Sequence, residues 1–194
     1  MNKKYNIIYA DPPWTYRDKA QAGQRGVEFK YPTMSIEDIK NLPIHNIADD
    51  DCILFLWVTF PLLQEGLDTI KAWGFTYKTI GFNWVKKNKK SIETNFWGMG
   101  NWTRSNSEIC LLAIKGKPKR ISASVHSVIE TYETETIESP IEKHSKKPDI
   151  VRYRIEELCG DLSRIELFAR EKVDGWDSLG FDIDGKNICD SLIL

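Results

Sequence analysis

An α/β fold, a sheet covered on both faces by helices, is predicted by two features of this 194-residue sequence. Five short runs of apolar, β-branched or aromatic residues read as strands: Tyr5 to Ala10, Ile53 to Val58, Thr79 to Val85, Ile109 to Lys115 and Ile165 to Ala169. Helical patterns lie between them, and that alternation is the signature of a layered α/β sheet. With 41% apolar and 11% aromatic residues, a single domain over 1–194 has the material for a sizeable core.

In chain order, the first apolar run stops at Asp11, Pro12, Pro13 and Trp14, because tandem prolines cannot continue a strand ladder. Residues 15–34, with Gly23 and Gly26, read as a long active-site loop. Ser35 and Asp38 form a capping-box pattern ahead of a short helix that Pro43 ends. After the second strand, Pro61 to Trp73 carries Leu62, Leu63, Leu67, Ile70 and Trp73 at helical spacing, with Gly74 as the stop. Residues 86–108, "KKNKKSIETNFWGMGNWTRSNSE", are polar, aromatic and too long for an ordinary connection, so they read as a functional loop. "KPDIVRYRIEELCG" is the clearest helix, with Pro148 near its first turn and Gly160 behind it. "RIELFAR" alternates Ile165, Leu167 and Ala169 against Glu166, Phe168 and Arg170, as a strand with one charged face would.

Composition excludes several classes. The 27 Lys and Arg against 28 Asp and Glu give a net charge of -1, so any nucleic-acid site must be a local patch. Cys52, Cys110, Cys159 and Cys189 are too far apart for a CxxC pair or a small disulfide framework, which fits a reducing cytoplasm. His45, His126 and His144 lack metal-ligand spacing, so no metal is expected. Neither a signal peptide nor a membrane span is expected, since no apolar stretch approaches eighteen residues.

The acid-proline-proline-aromatic turn carries the chemistry. Ligands of open α/β sheets bind beyond the carboxyl ends of the strands, where Asp11 would project. A carboxylate only accepts hydrogen bonds, and the two prolines remove donors while leaving carbonyl oxygens free. With Trp14 as an aromatic wall, the turn complements a planar group carrying an NH2, such as adenine. Accepting both amine protons favours the electron-richer, more tetrahedral nitrogen that attacks an electrophile.

In sequence, "DPPW", "LFLWVT", "GFTYKTIGFNWVKKNK", "GMGNWTRSNSEICLLAIKGKPKR", "HSKKPD" and "RIELFARE" resemble the MT-A70-like adenine N6-methyltransferases, in order and over nearly the whole chain. The likeness is greatest to small phage and prophage enzymes. It implies a Rossmann-like fold with circularly permuted motif order, S-adenosylmethionine as donor and an adenine amine as acceptor. The catalytic residues would be Asp11, Pro12, Pro13 and Trp14, with Asp11 and the Pro12 carbonyl on the amine. Tyr31, joined by Tyr16, matches a tyrosine beside the acceptor base. Lys147 matches a lysine at the donor's carboxylate, and Arg170 an arginine by its ribose. Glu166 and Phe168 would share that pocket, with His144 beside it. The family usually places an asparagine and a glutamate or glutamine where Phe181 and Asp182 stand here.

The expected substrate is DNA, with the target base extruded from its stack. RNA is the alternative within the class. A catalytically silent nucleic-acid-binding subunit and a small-molecule methyltransferase are the alternatives outside it. The basic and aromatic residues of 86–120 would meet nucleic acid, with Trp102 and Arg104 on bases and Lys119 and Arg120 on phosphates. A segment this short implies recognition that is brief or shared, within a homodimer or with a partner subunit. The Lys-rich, Arg-poor basic set points to a phage or low-GC bacterium, hence to a bacterial cytoplasm.

Overall fold

The computed structural model describes residues 3–15, 34–88, 91–95, 97, 102–132 and 146–193. Its centre is the strand that runs into the proline turn. β1 (Tyr5–Ala10) pairs in parallel with β2 (Ala48–Val58) on one side and β7 (Arg164–Leu167) on the other, and β7 pairs in parallel with β8 (Asp177–Leu179). β5 (Ser107–Lys115) lies antiparallel between β2 and β3 (Thr76–Asn88). β3 also pairs antiparallel with β4 (Ser91–Asn95) and in parallel with β6 (Val128–Tyr132). The result is one mixed eight-stranded sheet in the order β4-β3-β5-β2-β1-β7-β8, with β6 beside β3.

The central strands are apolar on both faces because both are covered. Ile8, Ala10, Leu54, Leu56 and Leu111 pack on one face under α1 (Ile36–Lys40) and α2 (Leu63–Ala72), through Ile39 and Ile70. Ile7, Tyr9, Phe55, Trp57 and Cys110 pack on the other under α3 (Ile150–Cys159), through Val151 and Ile155. Two short helices, α4 (Phe181–Asp184) and α5 (Ile188–Ile193), follow β8. None of the described helices is long and apolar enough to cross a membrane.

Local signals act where they were expected. The Asp38 amide donates to Ser35 Oγ at 3.1 Å and caps α1. α2 ends at Trp73 and Gly74, whose φ of +82° needs no Cβ. Gly160, at φ +89°, closes α3. The reading of 86–108 as one loop is corrected: β3 runs on to Asn88 and β4 occupies Ser91–Asn95. Polar side chains concealed this hairpin; the β3 lysines are matched by the neighbouring strands, Lys86 to Glu108 of β5 at 3.0 Å and Lys87 to Glu130 of β6 at 3.1 Å.

Candidate active site

Asp11 follows β1 at its carboxyl end, level with the end of β2, since Ala10 pairs with Leu56. Two backbone bonds fix the turn behind it. The Trp14 amide donates to the Pro12 carbonyl at 2.8 Å, and the Met34 amide donates to the Pro13 carbonyl at 2.9 Å. The proline carbonyls, which the sequence suggested were free, are therefore each half engaged and keep one lone pair. Trp14 also departs from expectation. It is 5% exposed and lies in the core, with its indole N–H donating to the Trp57 carbonyl at 3.0 Å. A ring so buried anchors the turn and offers no face for a ligand to stack on.

Strand alternation then gathers charge on the α3 side of this edge. Asp11 shares a face with Tyr9, Glu108 with Cys110, and Lys86 with Trp84, all core residues under α3. Lys147, just before α3, places its ammonium 2.8 Å from Asp11 Oδ2 and 3.1 Å from Glu108 Oε2. It also lies 5.4 Å from the centre of the Trp57 ring. Glu108 holds Lys86 through its other oxygen. The result is an alternating row, Lys86, Glu108, Lys147, Asp11.

The row sets the protonation states. Burial pushes the Asp11 carboxyl above its usual value; Lys147 pulls against that and Glu108 adds to it. Burial also acts on Glu108, but its two lysines prevail and hold its carboxyl down at about 2. Burial disfavours the charged Lys147, yet Asp11 and Glu108 outweigh it and keep the ammonium charged well beyond its ordinary range. Sequence reasoning passed over Glu108 and read Lys86 only among the basic residues that would meet nucleic acid, whereas it is paired with Glu108. The available signal was an acid two residues before Cys110 at the start of a buried strand.

A narrow cleft opens beside Asp11 toward β7. Lys146, Lys147, Arg152 and Arg170 line it with Glu166, Phe168 and Glu171. Arg152 grips Glu166 with two bonds, Nε to Oε2 at 2.7 Å and Nη2 to Oε1 at 3.0 Å, and bonds Asp149 at 2.7 Å. Burial raises the Glu166 carboxyl while Arg152 opposes it. Phe168 has a φ of +62°, a left-handed conformation that costs a side-chain-bearing residue about 1–2 kcal/mol. A wider, open groove of about 460 Å³ lies between His126, Val128 and Arg154, whose guanidinium is bonded to two backbone carbonyls. None of the proline turn's chemistry reaches it.

The structure thus brings together Asp11, Lys147, Glu166, Phe168 and Arg170. Trp102 (99% exposed) and Arg104 stand on the segment leading into β5 at the same edge. Lys119 and Arg120 do not join them. They follow Lys115, which pairs with Cys52 at the far end of β2, six residues of strand and about 20 Å from the Val58 end. Lys86 and Lys87 are likewise tied to carboxylates. Phe181 (66% exposed) and Asp182 begin α4, outside the cleft lining. Gly180 before them packs so closely that a Cβ there would meet the Ala169 carbonyl. Tyr16, Tyr31 and His144 lie outside the described residues.

The family model MT-A70 matches residues 5–182. The chain is 33% identical over 204 aligned positions to the type II methyltransferase M.MunI of a Mycoplasma species, covering 96% of this chain and 81% of the relative. It is 29% identical to the N(6)-adenosine-methyltransferase MT-A70-like protein of Drosophila melanogaster over 98% of this chain, and 28% identical to the human N(6)-adenosine-methyltransferase catalytic subunit METTL3 over 96%. It spans only 29% and 30% of those two longer relatives.

Proposed function

We propose that this chain, which belongs to the MT-A70 family, transfers a methyl group from S-adenosylmethionine to the N6 amine of adenine in DNA. The observation that carries the reading is the Asp11 carboxylate, held at a strand end by a proline turn, beside a charged cleft. Lys147 occupies Oδ2 alone, and a carboxylate has about four lone-pair sites, so Asp11 retains capacity for an amine proton. The second lone pair of the Pro12 carbonyl receives the other. The fold fits a Rossmann-like methyltransferase with permuted order, in which the catalytic strand comes first and the donor-binding elements last.

The cleft's chemistry suits the donor. S-adenosylmethionine supplies a methyl group on a sulfonium. Arg170 is a cation for its carboxylate and neighbouring polar groups, and Lys146, which holds Glu171 at 2.7 Å and Asp149 at 3.2 Å, adds a second positive charge, while the remaining lone pairs of Glu171 can accept from ribose hydroxyls. Lys147 is more closely engaged with Asp11 and Glu108 than the family resemblance implied. Asp11, at the strand end, is out of reach of a stacked base, so the target adenine must leave the helix, at a cost of a few kcal/mol. The exposed Trp102 and Arg104 stand at the edge where the polymer would approach.

The 81% coverage of the type II methyltransferase favours DNA over RNA. Incubation with labelled donor and matched oligonucleotides, single and double stranded, DNA and RNA, followed by nucleoside digestion, tests the reading. N6-methyladenine in DNA is expected. Label confined to RNA would replace the substrate, and label in neither would remove the activity.

A further inference from the structure

The position of Lys147 raises a difficulty for the proposed chemistry. An ammonium 2.8 Å from Asp11 Oδ2 draws on the negative charge with which Asp11 is to hold a weakly polarised amine. Were Lys147 bound to Asp11 alone, it would neutralise the acceptor it positions. The structure gives Lys147 a second carboxylate, Glu108 Oε2 at 3.1 Å, and gives Glu108 a second lysine, Lys86 at 3.0 Å. The side chains of Glu108 and Lys147 are 14% and 8% exposed, so water does little to screen them.

We propose that Glu108 is a positioning residue for methyl transfer: it shares Lys147 with Asp11, so that the lysine fixes the Asp11 carboxylate through Oδ2 without cancelling its charge. The inference rests on the proposed function for the reaction it serves, but the shared cation is a feature of the fold alone. The row is balanced at both ends. Removing Glu108 leaves Lys147 wholly to Asp11, whereas removing Lys86 leaves Glu108 wholly to Lys147.

Among the described residues, six groups face Asp11 from the elements around it: Tyr9 on β1, Glu108 and Cys110 on β5, Lys147 before α3, and Glu166 and Arg170 on and after β7. Burial keeps the Tyr9 hydroxyl and the Cys110 thiol neutral, and Glu108 stays ionised down to about pH 2. Over the range where Asp11 titrates, Glu108 is therefore a constant negative charge that raises the Asp11 value, and its loss lowers it.

The test compares Glu108→Gln, which keeps the shape and one acceptor oxygen but loses the charge, with Lys86→Met. In Glu108→Gln, kcat for methyl transfer is expected to fall about ten- to a hundredfold, the range of a charged hydrogen bond. Its acid limb should move to lower pH, while donor affinity by calorimetry stays within about threefold. In Lys86→Met the acid limb should move to higher pH. A merely structural Glu108 would leave kcat at the variant's own pH optimum unchanged, since its charge alone moves only the limb, and matched shifts in one direction would also overturn the proposal. Carboxyl-carbon NMR of Asp11 in both variants follows the same opposed shifts without any activity. An enzyme that methylates nothing, yet shows the opposed Asp11 shifts, would fail the proposed function and retain the shared cation. Parallel or absent shifts in an active enzyme would do the reverse.

Discussion

Single atoms decide the role of each residue at this edge. Asp11 is useful for what it lacks, a donor, and the prolines beside it remove two more. Asp11→Ala is therefore expected to abolish transfer while leaving donor affinity within a few fold, since the cleft cations remain. Asp11→Asn should fail as completely, because its NH2 would face the target NH2. Wild-type turnover by either variant at saturating donor would refute the assignment. Lys147 offers a sharper contrast. As a donor ligand alone, it would affect donor and product binding when removed. Its observed contacts are Asp11 and Glu108, so Lys147→Met should lower kcat at least tenfold and change donor affinity less than that. Calorimetry beside single-turnover rates separates the two effects, and a tenfold loss of donor affinity with normal turnover would return Lys147 to the donor's carboxylate.

Elements differ in how plainly the sequence announces them, and the reason is where their polar side chains point. β1 was legible from end to end because burial on both faces makes a continuous apolar run that prolines terminate. The α1 cap and the α3 stop were legible because capping is local chemistry. β3 beyond Val85, β4 and β6 were not, since "KKN", "SIETN" and "VIETY" are short and polar, and the charges of Lys86, Lys87 and Glu130 find their partners on other strands. β8 is three residues long, too short for any periodicity. The site divides the same way. Asp11 stood out beside its prolines, whereas Glu108 became visible only when β5 was laid beside β2. The pairing of α3 to β7 through Arg152 and Glu166 was equally hidden, the two residues being 14 apart in sequence. Both side chains are about one-tenth exposed, so Arg152→Ala would leave a buried carboxylate unpaired. The expected cost is about 3 kcal/mol or more, against less than about 1 for a surface pair. Urea unfolding measures it, and a loss below about 1 kcal/mol would place the pair in the surface class.

For the molecule as a whole, the net charge of -1 conceals a strong local ordering of charge, and that ordering should govern its response to acid. Glu108 is held at about 2 in the folded protein against a usual 4.5. A carboxyl depressed on folding contributes stability that is present above its unfolded value and is lost as pH falls through its folded value. The window here is therefore from about pH 4.5 down to about 2, and the contribution about 3 kcal/mol at neutral pH. Asp11 and Glu166 act with the opposite sign. Their raised carboxyls cost stability while ionised and return it as they protonate, which happens at higher pH than the titration of Glu108. Stability should thus hold or rise slightly as pH falls from neutral toward 4.5, and then decline steeply. Glu108→Gln removes the steep part: the gap between wild type and variant, widest at neutral pH, should shrink by about 3 kcal/mol toward pH 2 in urea titrations. Parallel curves for the two proteins across that window would mean that Lys86 and Lys147 do not hold Glu108 ionised in the native state.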